Sequence, residues 1–353
     1  MELSVYALDD REKWESIVNR LAPHHLFYSY SYNVSFLGHE QGRPYLVHGQ
    51  SSNGEVIYAF YKREILIPKL DVLYYDIITA YGYGGALYFP VDGVEATDLA
   101  VGFDQSFVAF CQQEKIVSEF IRIDPTSGNY PEIESHFYSI RHDNEHYFSQ
   151  TNYSDDELLK QINLSYHVRG IKRDKNRGFK VYCDQSVYGC NDFYDLYSST
   201  MQRHGQKGFL NLQKSFFEKF FEVNKGKFHV FFCCNENDQP LATAIIIHNK
   251  QQVEYFLAAN IRTEHNHYAS HILILEVIKW ARDNGFETFH LGGGAESLRN
   301  FKSSLSNASS DYFVGYRVHL PDIYEKLISE GLSKYKMHPS PTGFFFPEYR
   351  RFY

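Results

Sequence analysis

The chain has 353 residues, 43% apolar and 22% charged, which suffices for one large core or two of roughly 150 residues each, and two are expected. A formal net charge of −8 argues against binding nucleic acid over the whole surface and leaves room only for a local basic stripe facing an anionic ligand. Five cysteines, at 111, 183, 190, 233 and 234, show neither CxxC spacing nor a paired framework, which speaks against structural zinc and for a reducing, cytoplasmic setting; no basic start leads into an apolar run, and no segment approaches the ~20 apolar residues of a membrane span.

In chain order, 9–21 reads as a capped amphipathic helix, and 44–68 holds three strand-like runs, including GEVIYAFYKREILI. A helix follows over 93–115, then a buried strand at 117–124 stopped by Pro125, then a strand near 138–148. The polar stretch FSQTNYSDDE marks a boundary near 150 ahead of a helix capped by Ser154. Helices are expected at about 154–177, 191–204 and 213–224, and strands at 228–235, 241–249 and 252–259. A long helix at 271–284, a strand at 287–291 and a strand at 312–319 complete the series. The fold class is α/β (α+β): two tandem units, 1–150 and 151–335, of mixed, largely antiparallel sheets flanked by helices, with a tail at 336–353 packing on the body. Most of the 29 Tyr and 29 Phe serve cores, and a minority line a ligand groove.

The segment FHLGGGAESLRNFKSSLS at 289–306 carries the strongest local signal: a strand running into Gly292, Gly293 and Gly294 and then a polar helix start. Glycine lacks a Cβ and tolerates positive φ, so such a corner lets a ligand approach main-chain N–H groups, or it is simply a tight turn. His290, beside it, could accept a proton near neutral pH, or be a strand histidine bonded to backbone. His265, His267 and His271 have ligand-like spacing without an acidic or cysteine partner in a matching pattern, so no metal is expected; His142 and His146 fare no better. The run Arg169, Lys172, Arg173, Lys175, Arg177, with Asp174 as its only acid, is an anion site or a solvated helix face.

Several segments then follow one another in order: YGYGG at 81–85, FIRIDP at 120–125, HVRGIKRDKNRGFKV at 167–181, DFYDLYSSTMQRHG at 192–205, LATAIII, VEYFLAAN, the long helix, and LGGG followed by Phe301 and Lys302. Together, from about 75 to 320, they resemble the Fem family of aminoacyltransferases and related GNAT-fold acyltransferases. The resemblance implies two GNAT-like domains and transfer of an acyl or aminoacyl group, without a covalent enzyme intermediate, to a primary amine of a cell-envelope glycan or peptidoglycan precursor. The donor implied is acyl-CoA (acetyl-CoA) or aminoacyl-tRNA, and the partner a nucleotide- or lipid-linked envelope precursor, with charged tRNA as a further partner and no DNA.

Residue by residue, Phe301 and Lys302 match the family's FK motif, whose lysine offsets negative charge at the transferring carbonyl. Tyr255 matches a tyrosine of the central strand and is the expected proton donor to the leaving group, and His290 is one candidate catalytic residue. Gly292, Gly293, Gly294 and Phe301 are the expected donor contacts, and Tyr81, Tyr83, Arg122, Arg169, Arg173 and Arg203 the expected substrate contacts. Three departures stand out: SSLS follows FK where the family continues with a basic residue, Gly and Phe; His290 replaces an Asp; and RTEHNHYAS at 262–270 lacks the glycine turn of coenzyme-A enzymes. These departures also suit a catalytically inactive double-GNAT module that binds a glycan precursor or a protein partner.

Overall fold

The apolar runs at 44–65 form a hairpin: Arg43–Ser51 pairs antiparallel with Gly54–Ile65, from Arg43↔Lys62 to Ser51↔Gly54, across a turn at Ser52 and Asn53. The computed structural model describes every residue except 24, 67–71, 127–132, 162–166, 206–208, 249–251, 262–267, 336–343 and 352–353. By contacts the chain divides into two compact units, one made of Met1–Ala22, Phe27–Asp143 and Phe313–Tyr353, the other of Pro23–Leu26 and Asn144–Tyr312. The chain passes from the first to the second at Asp143/Asn144, close to the polar stretch around 150, and returns to the first at Tyr312/Phe313. No boundary expected from the sequence falls at that return.

In the first unit the hairpin sits between Glu2–Tyr6, which pairs with Arg43–Ser51, and Tyr74–Ile78, which pairs with Gly54–Ile65. Tyr74–Ile78 runs parallel to Ile116–Arg122, and the connection contains the helix Ala96–Gln113. That helix buries Leu99, Ala100, Phe103, Phe107 and Cys111 at helical spacing, and Phe107 packs on Tyr58 and Phe60 of the hairpin. Ile116–Arg122 is flanked on its other side by the returning strand Ala308–Val318, registered from Val314↔Arg122 to Val318↔Ser118.

This register places Arg317 directly opposite Glu119, which is wholly buried. Glu119 accepts from Tyr58 at 2.8 Å, Tyr138 at 2.7 Å, His319 at 2.9 Å and Arg317 at 3.3 Å, and Arg317 also pairs with Asp104. Burial pushes the Glu119 carboxyl up, but Arg317 and the bonds from His319 and Tyr138 outweigh it and hold the group at about 2. The stability from this pairing is present above the ordinary value of 4.5 and is lost as pH falls toward 2.

The second unit orders its strands Asn144–Gln150, Thr288–Gly292, Gln252–Asn260, Pro240–His248, Phe228–Cys234, Lys180–Cys183. Both faces of the middle strands are covered, which explains their unbroken apolar runs. Phe231, Ile246, Val253 and Phe289 share a core with Ile272, Leu273, Val277 and Ile278 of the long helix Ala269–Asp283. On the other face Phe220 stacks on Phe256, and Phe217 meets Phe193 and Tyr197 of the helix Val187–Arg203.

Most expected elements appear within a few residues of their predicted ends, with three differences. The region 154–177 is two helices, Asp155–Gln161 and Val168–Asn176, rather than one. The third strand expected before 68 is Tyr74–Ile78, and the last strand begins at Ala308. Ser154 caps as read: its N–H and Oγ–H bond Glu157 at 3.0 and 2.6 Å while Glu157 N–H returns to Ser154 Oγ at 3.4 Å, a reciprocal box.

Removing Arg317's charge leaves Glu119 buried without its main cation. We expect Arg317→Met to destabilise the protein by about 3–5 kcal/mol. Urea unfolding would reveal this as a lower midpoint, and an unmoved midpoint would show the pair to be idle.

Candidate functional site

The parallel ladder between Gln252–Asn260 and Thr288–Gly292 has three pairs, Gln252↔Thr288, Val253↔Phe289 and Glu254↔His290, and ends there. On the other side of Gln252–Asn260, Ile246 faces Tyr255 and Ile245 faces Leu257, so Phe256 is bulged out of the antiparallel ladder. A bulge bends its strand and raises its twist, which fits a ladder that stops beside it. Beyond Glu254 and His290 the main-chain groups facing this gap are not spent on pairing these two strands, and an inserted ligand could use them. Nothing in VEYFLAAN signals the bulge.

The glycine corner lies at the same strand end. Gly292 and Gly294 have φ of 72° and 129°, where a side chain would be strained. Gly293 is required for another reason: a Cβ there would lie 2.1 Å from Asn144 Oδ1 and 2.6 Å from His146 Cδ2. The corner expected to be bare is thus exposed at Gly294, half-buried at Gly292, and covered at Gly293 by Asn144 and His146.

The helix Glu296–Ser303 then carries Lys302 back to the corner, where its Nζ donates to the Gly293 carbonyl at 2.6 Å. Lys302 is 6% exposed, and loss of water lowers its ammonium from 10.5 to about 7. Nζ lies 5.8 Å from the centre of the Tyr255 ring. Burial pushes the Tyr255 phenol up, so it stays an O–H donor. Phe301 meets His271 edge to face at 4.9 Å and packs against the core of the unit, and His271 also lies 4.8 Å from His167.

His290 is buried, stacked on Phe148 at 4.3 Å, its antiparallel partner in the sheet. Its Nε2 is 3.2 Å from Nδ1 of His146, and its Nδ1 is 3.5 Å from Glu254 Oε1. His146 stacks on Tyr312 at 4.2 Å, and burial, His290 and Lys302 together lower it to about 2, so its ring is neutral. Neither His146 nor Glu254 was among the expected site residues. The available signal was period two, since 146 and 148 share a strand face, but it needed the strand partner to be known.

The remaining expected contacts divide between the units. Tyr81, Tyr83 and Arg122 belong to the first: the Tyr81 carbonyl accepts from Tyr32 at 2.6 Å, Tyr83 is buried edge to face on Phe27, and Arg122 donates to the Thr79 carbonyl at 2.7 Å. Arg169, Arg173 and Arg203 belong to the second and are exposed. Arg203 forks onto Asn260, donating to its main-chain and side-chain oxygens at 2.8 Å each, and Arg173 pairs with Asp174 at 2.7 Å.

Asp174 itself is buried, and its Oδ2 accepts from the N–H of Tyr268, the residue that opens the long helix. The Tyr268 ring rests against Gly170, where a Cβ would come within 1.9 Å of it. The chain therefore places its own carboxylate at the positive end of that helix. Of the glycine-free segment before it, 262–267, with His265 and His267, lies outside the described residues. Among the described residues no group of three or more His, Cys, Asp or Glu could hold a metal ion, and no helix is long and apolar enough to cross a membrane.

Residues 163–303 match a family described as an acetyltransferase (GNAT) domain. The UDP-N-acetylmuramoylpentapeptide-lysine N(6)-alanyltransferase of Weissella viridescens is 22% identical over 187 residues, covering 51% of this chain and 54% of the relative. The chain thus spans about half the length of that curated relative. Among solved structures, FemX superposes with a TM-score of 0.65 at 14% identity, covering 92% of this chain and 99% of FemX. L-PGS from Bacillus licheniformis superposes with a TM-score of 0.54 at 16% identity, covering 87% and 92%.

Lys302 sets a pH dependence whose sign follows from its lowered value. Between about 7 and 10.5 the unfolded chain holds a proton that the folded chain has released, so stability rises with pH across that window, and below it the cost of the buried ammonium is present in full. We expect Lys302→Met to raise the melting temperature most below pH 7, the gain fading toward pH 10.5. A pH series of thermal melts checks this, and a gain that is level with pH would contradict it.

Proposed function

We propose, from the premise that this chain belongs to the Fem-type group of GNAT-fold acyltransferases, that it moves an acyl or aminoacyl group directly onto a primary amine of a cell-envelope glycan or peptidoglycan precursor. The observation that carries the reading is the buried Lys302 amine at the glycine corner, beside the strand opening and Tyr255. The donor's acyl group enters the opening, and the neutral acceptor amine attacks its carbonyl carbon. Negative charge then grows on the carbonyl oxygen. An amine poised near neutrality gains proton affinity as that charge develops, and a desolvated donor is worth far more there than in water. Tyr255 supplies a proton to the departing oxygen and is restored, through solvent, by the proton that the attacking nitrogen gives up.

Between the two donors, the geometry favours an aminoacyl ester of tRNA over acyl-CoA. A pyrophosphate seeks the N–H groups and positive end of a helix, and at the long helix the Asp174 carboxylate already accepts from the N-cap amide of Tyr268. Such an anion would repel a second one. The acceptor class follows the relative, whose name specifies a UDP-linked muramoyl pentapeptide lysine.

The test supplies purified protein with a UDP-linked muramoyl pentapeptide and, in turn, alanyl-tRNA, acetyl-CoA and a long acyl-CoA, with products read by mass. We expect transfer from the charged tRNA, and a loss of about 10²–10³ in kcat for Lys302→Ala with precursor binding retained. Turnover unchanged by that substitution would remove the site. Transfer from acetyl-CoA alone would reverse the donor preference, and binding without turnover from any donor would identify an inactive binding module.

A further inference from the structure

The helix Val168–Asn176 divides its two sides between different partners. Ile171 joins the core shared with the long helix, buried Asp174 accepts from the Tyr268 amide, and half-buried Lys175 pairs with Glu276 of the long helix. Positions 169, 172, 173, 176 and 177 recur at the spacings that share one helix face, and Arg169, Lys172, Arg173, Asn176 and the C-cap Arg177 are all exposed. Asp174, the only acid of the helix, is therefore turned away from that face, which is cationic along its whole length. Arg173 is tied to Asp174, and among the described residues Arg169, Lys172 and Arg177 form no ion pair. The formal charge of the whole chain is −8, so this face is a local reversal of sign rather than part of a basic surface.

One end of this helix adjoins the site. The ring of His167, its N-cap residue, lies 4.8 Å from His271, and His271 meets Phe301, the neighbour of Lys302, at 4.9 Å. At 1.5 Å per residue the stripe from Arg169 to Arg177 extends about 12 Å along the axis. Its form discriminates between anions. A diphosphate carries its charge at one place and is held where donors converge in a hollow, whereas cations strung along an exposed, convex helix match an anion whose charges also repeat along a line. An anionic membrane is a plane, and a helix that lies on one carries apolar side chains beside its cations. The exposed positions of this face include no apolar side chain.

We propose, on the aminoacyl-tRNA reading above, that the exposed face of Val168–Asn176 is the docking surface for the sugar–phosphate backbone of the donor tRNA, with Arg169, Lys172 and Arg177 as its phosphate contacts. Such contacts neutralise phosphates, release counterions and fix the position of the carrier without reading any base. The aminoacyl ester at the 3′ end has to reach Lys302, and the ring series His167, His271, Phe301 links the start of the stripe to that point, so backbone held on the stripe adjoins the ester. The bonds from Asp174 to Tyr268 and from Lys175 to Glu276 keep the helix in register with the long helix while its outer face meets the RNA. Contacts this exposed are individually weak, so the stripe governs the affinity for the carrier and its salt dependence, and the chemical step stays with the glycine corner.

Two measurements on the full chain test this. Retention of uncharged alanine tRNA on filters across a KCl series needs no turnover. For the triple variant Arg169→Gln, Lys172→Gln, Arg177→Gln we expect about 10-fold weaker binding at roughly 0.1 M salt, and a plot of log affinity against log salt that is shallower by about 2. Lys13→Gln, Arg43→Gln, Lys326→Gln removes the same charge from exposed positions of the first unit and is expected to bind as the wild type does. In the transfer assay the helix variant is expected to raise KM for alanyl-tRNA about 10-fold, with KM for the UDP-linked muramoyl pentapeptide unmoved. Every substituted side chain is exposed, so the cores are untouched. Equal losses in the two triple variants would reduce the effect to net charge and overturn the docking surface. A KM raised for the muramoyl precursor instead, or binding to phosphatidylglycerol vesicles that the helix variant loses while its tRNA binding persists, would overturn it as well. Turnover from alanyl-tRNA with affinity and salt slope unchanged in the helix variant overturns the docking surface and leaves the aminoacyltransferase reading intact. A wild type that retains no tRNA and transfers from no charged tRNA removes both.

Discussion

An amine taken out of water must be met by an acceptor, and at this site the acceptor is the main-chain carbonyl of Gly293, 2.6 Å from Lys302 Nζ. The rest of the site is arranged around that bond. Gly292 and Gly294 supply backbone angles that turn the strand end so that the carbonyl points at the returning helix, and Gly293 has no side chain because Asn144 and His146 occupy the space. Were the lysine solvated, its ammonium would be an ordinary surface charge. Buried, it is an ionisable group whose charge state responds to what forms beside it.

The long helix shows how the same unit treats anions elsewhere. Asp174, held by Arg173 and the Tyr268 amide, already neutralises the helix end, and Gly170 lets Tyr268 close down upon it. A helix terminus is a ready anion site only while its N–H groups lack a partner, and here one of them is bonded by the chain itself. On the proposed reading, the Lys302 amine serves the transfer while the helix end, with one amide already bonded to Asp174, is less open to a phosphorylated carrier.

Much of the fold was legible because its signals are local. The long helix, the apolar strands at 228–260 and the Ser154 box each depend on residues within a turn or two of one another, and 289–306 marked the corner through three adjacent glycines. What stayed hidden depends on partners far apart in the chain. Glu254, His290 and His146 meet only because three strands adopt a particular register, and no pattern in any one strand specifies it. The bulge at Phe256 has the same character, since VEYFLAAN holds no glycine or turn residue beside it. Arg122 and Arg203, expected to face substrate, donate to Thr79 and Asn260 of this chain, a use that composition cannot distinguish from ligand binding.

The segment that returns at Phe313 makes the first unit discontinuous in sequence. Two of its strands are completed by residues that follow the whole of the second unit: Arg317 and His319 for Glu119, Tyr349 and Arg350 for Asp76. Domains that are contiguous in sequence settle in order as they leave the ribosome, N-terminal first. This one cannot, because those partners are synthesised after Tyr312. Until they emerge, Glu119 has no arginine and Asp76 only Arg63, so the nascent chain carries two acidic groups short of their native partners while the second unit already has its whole sequence at hand.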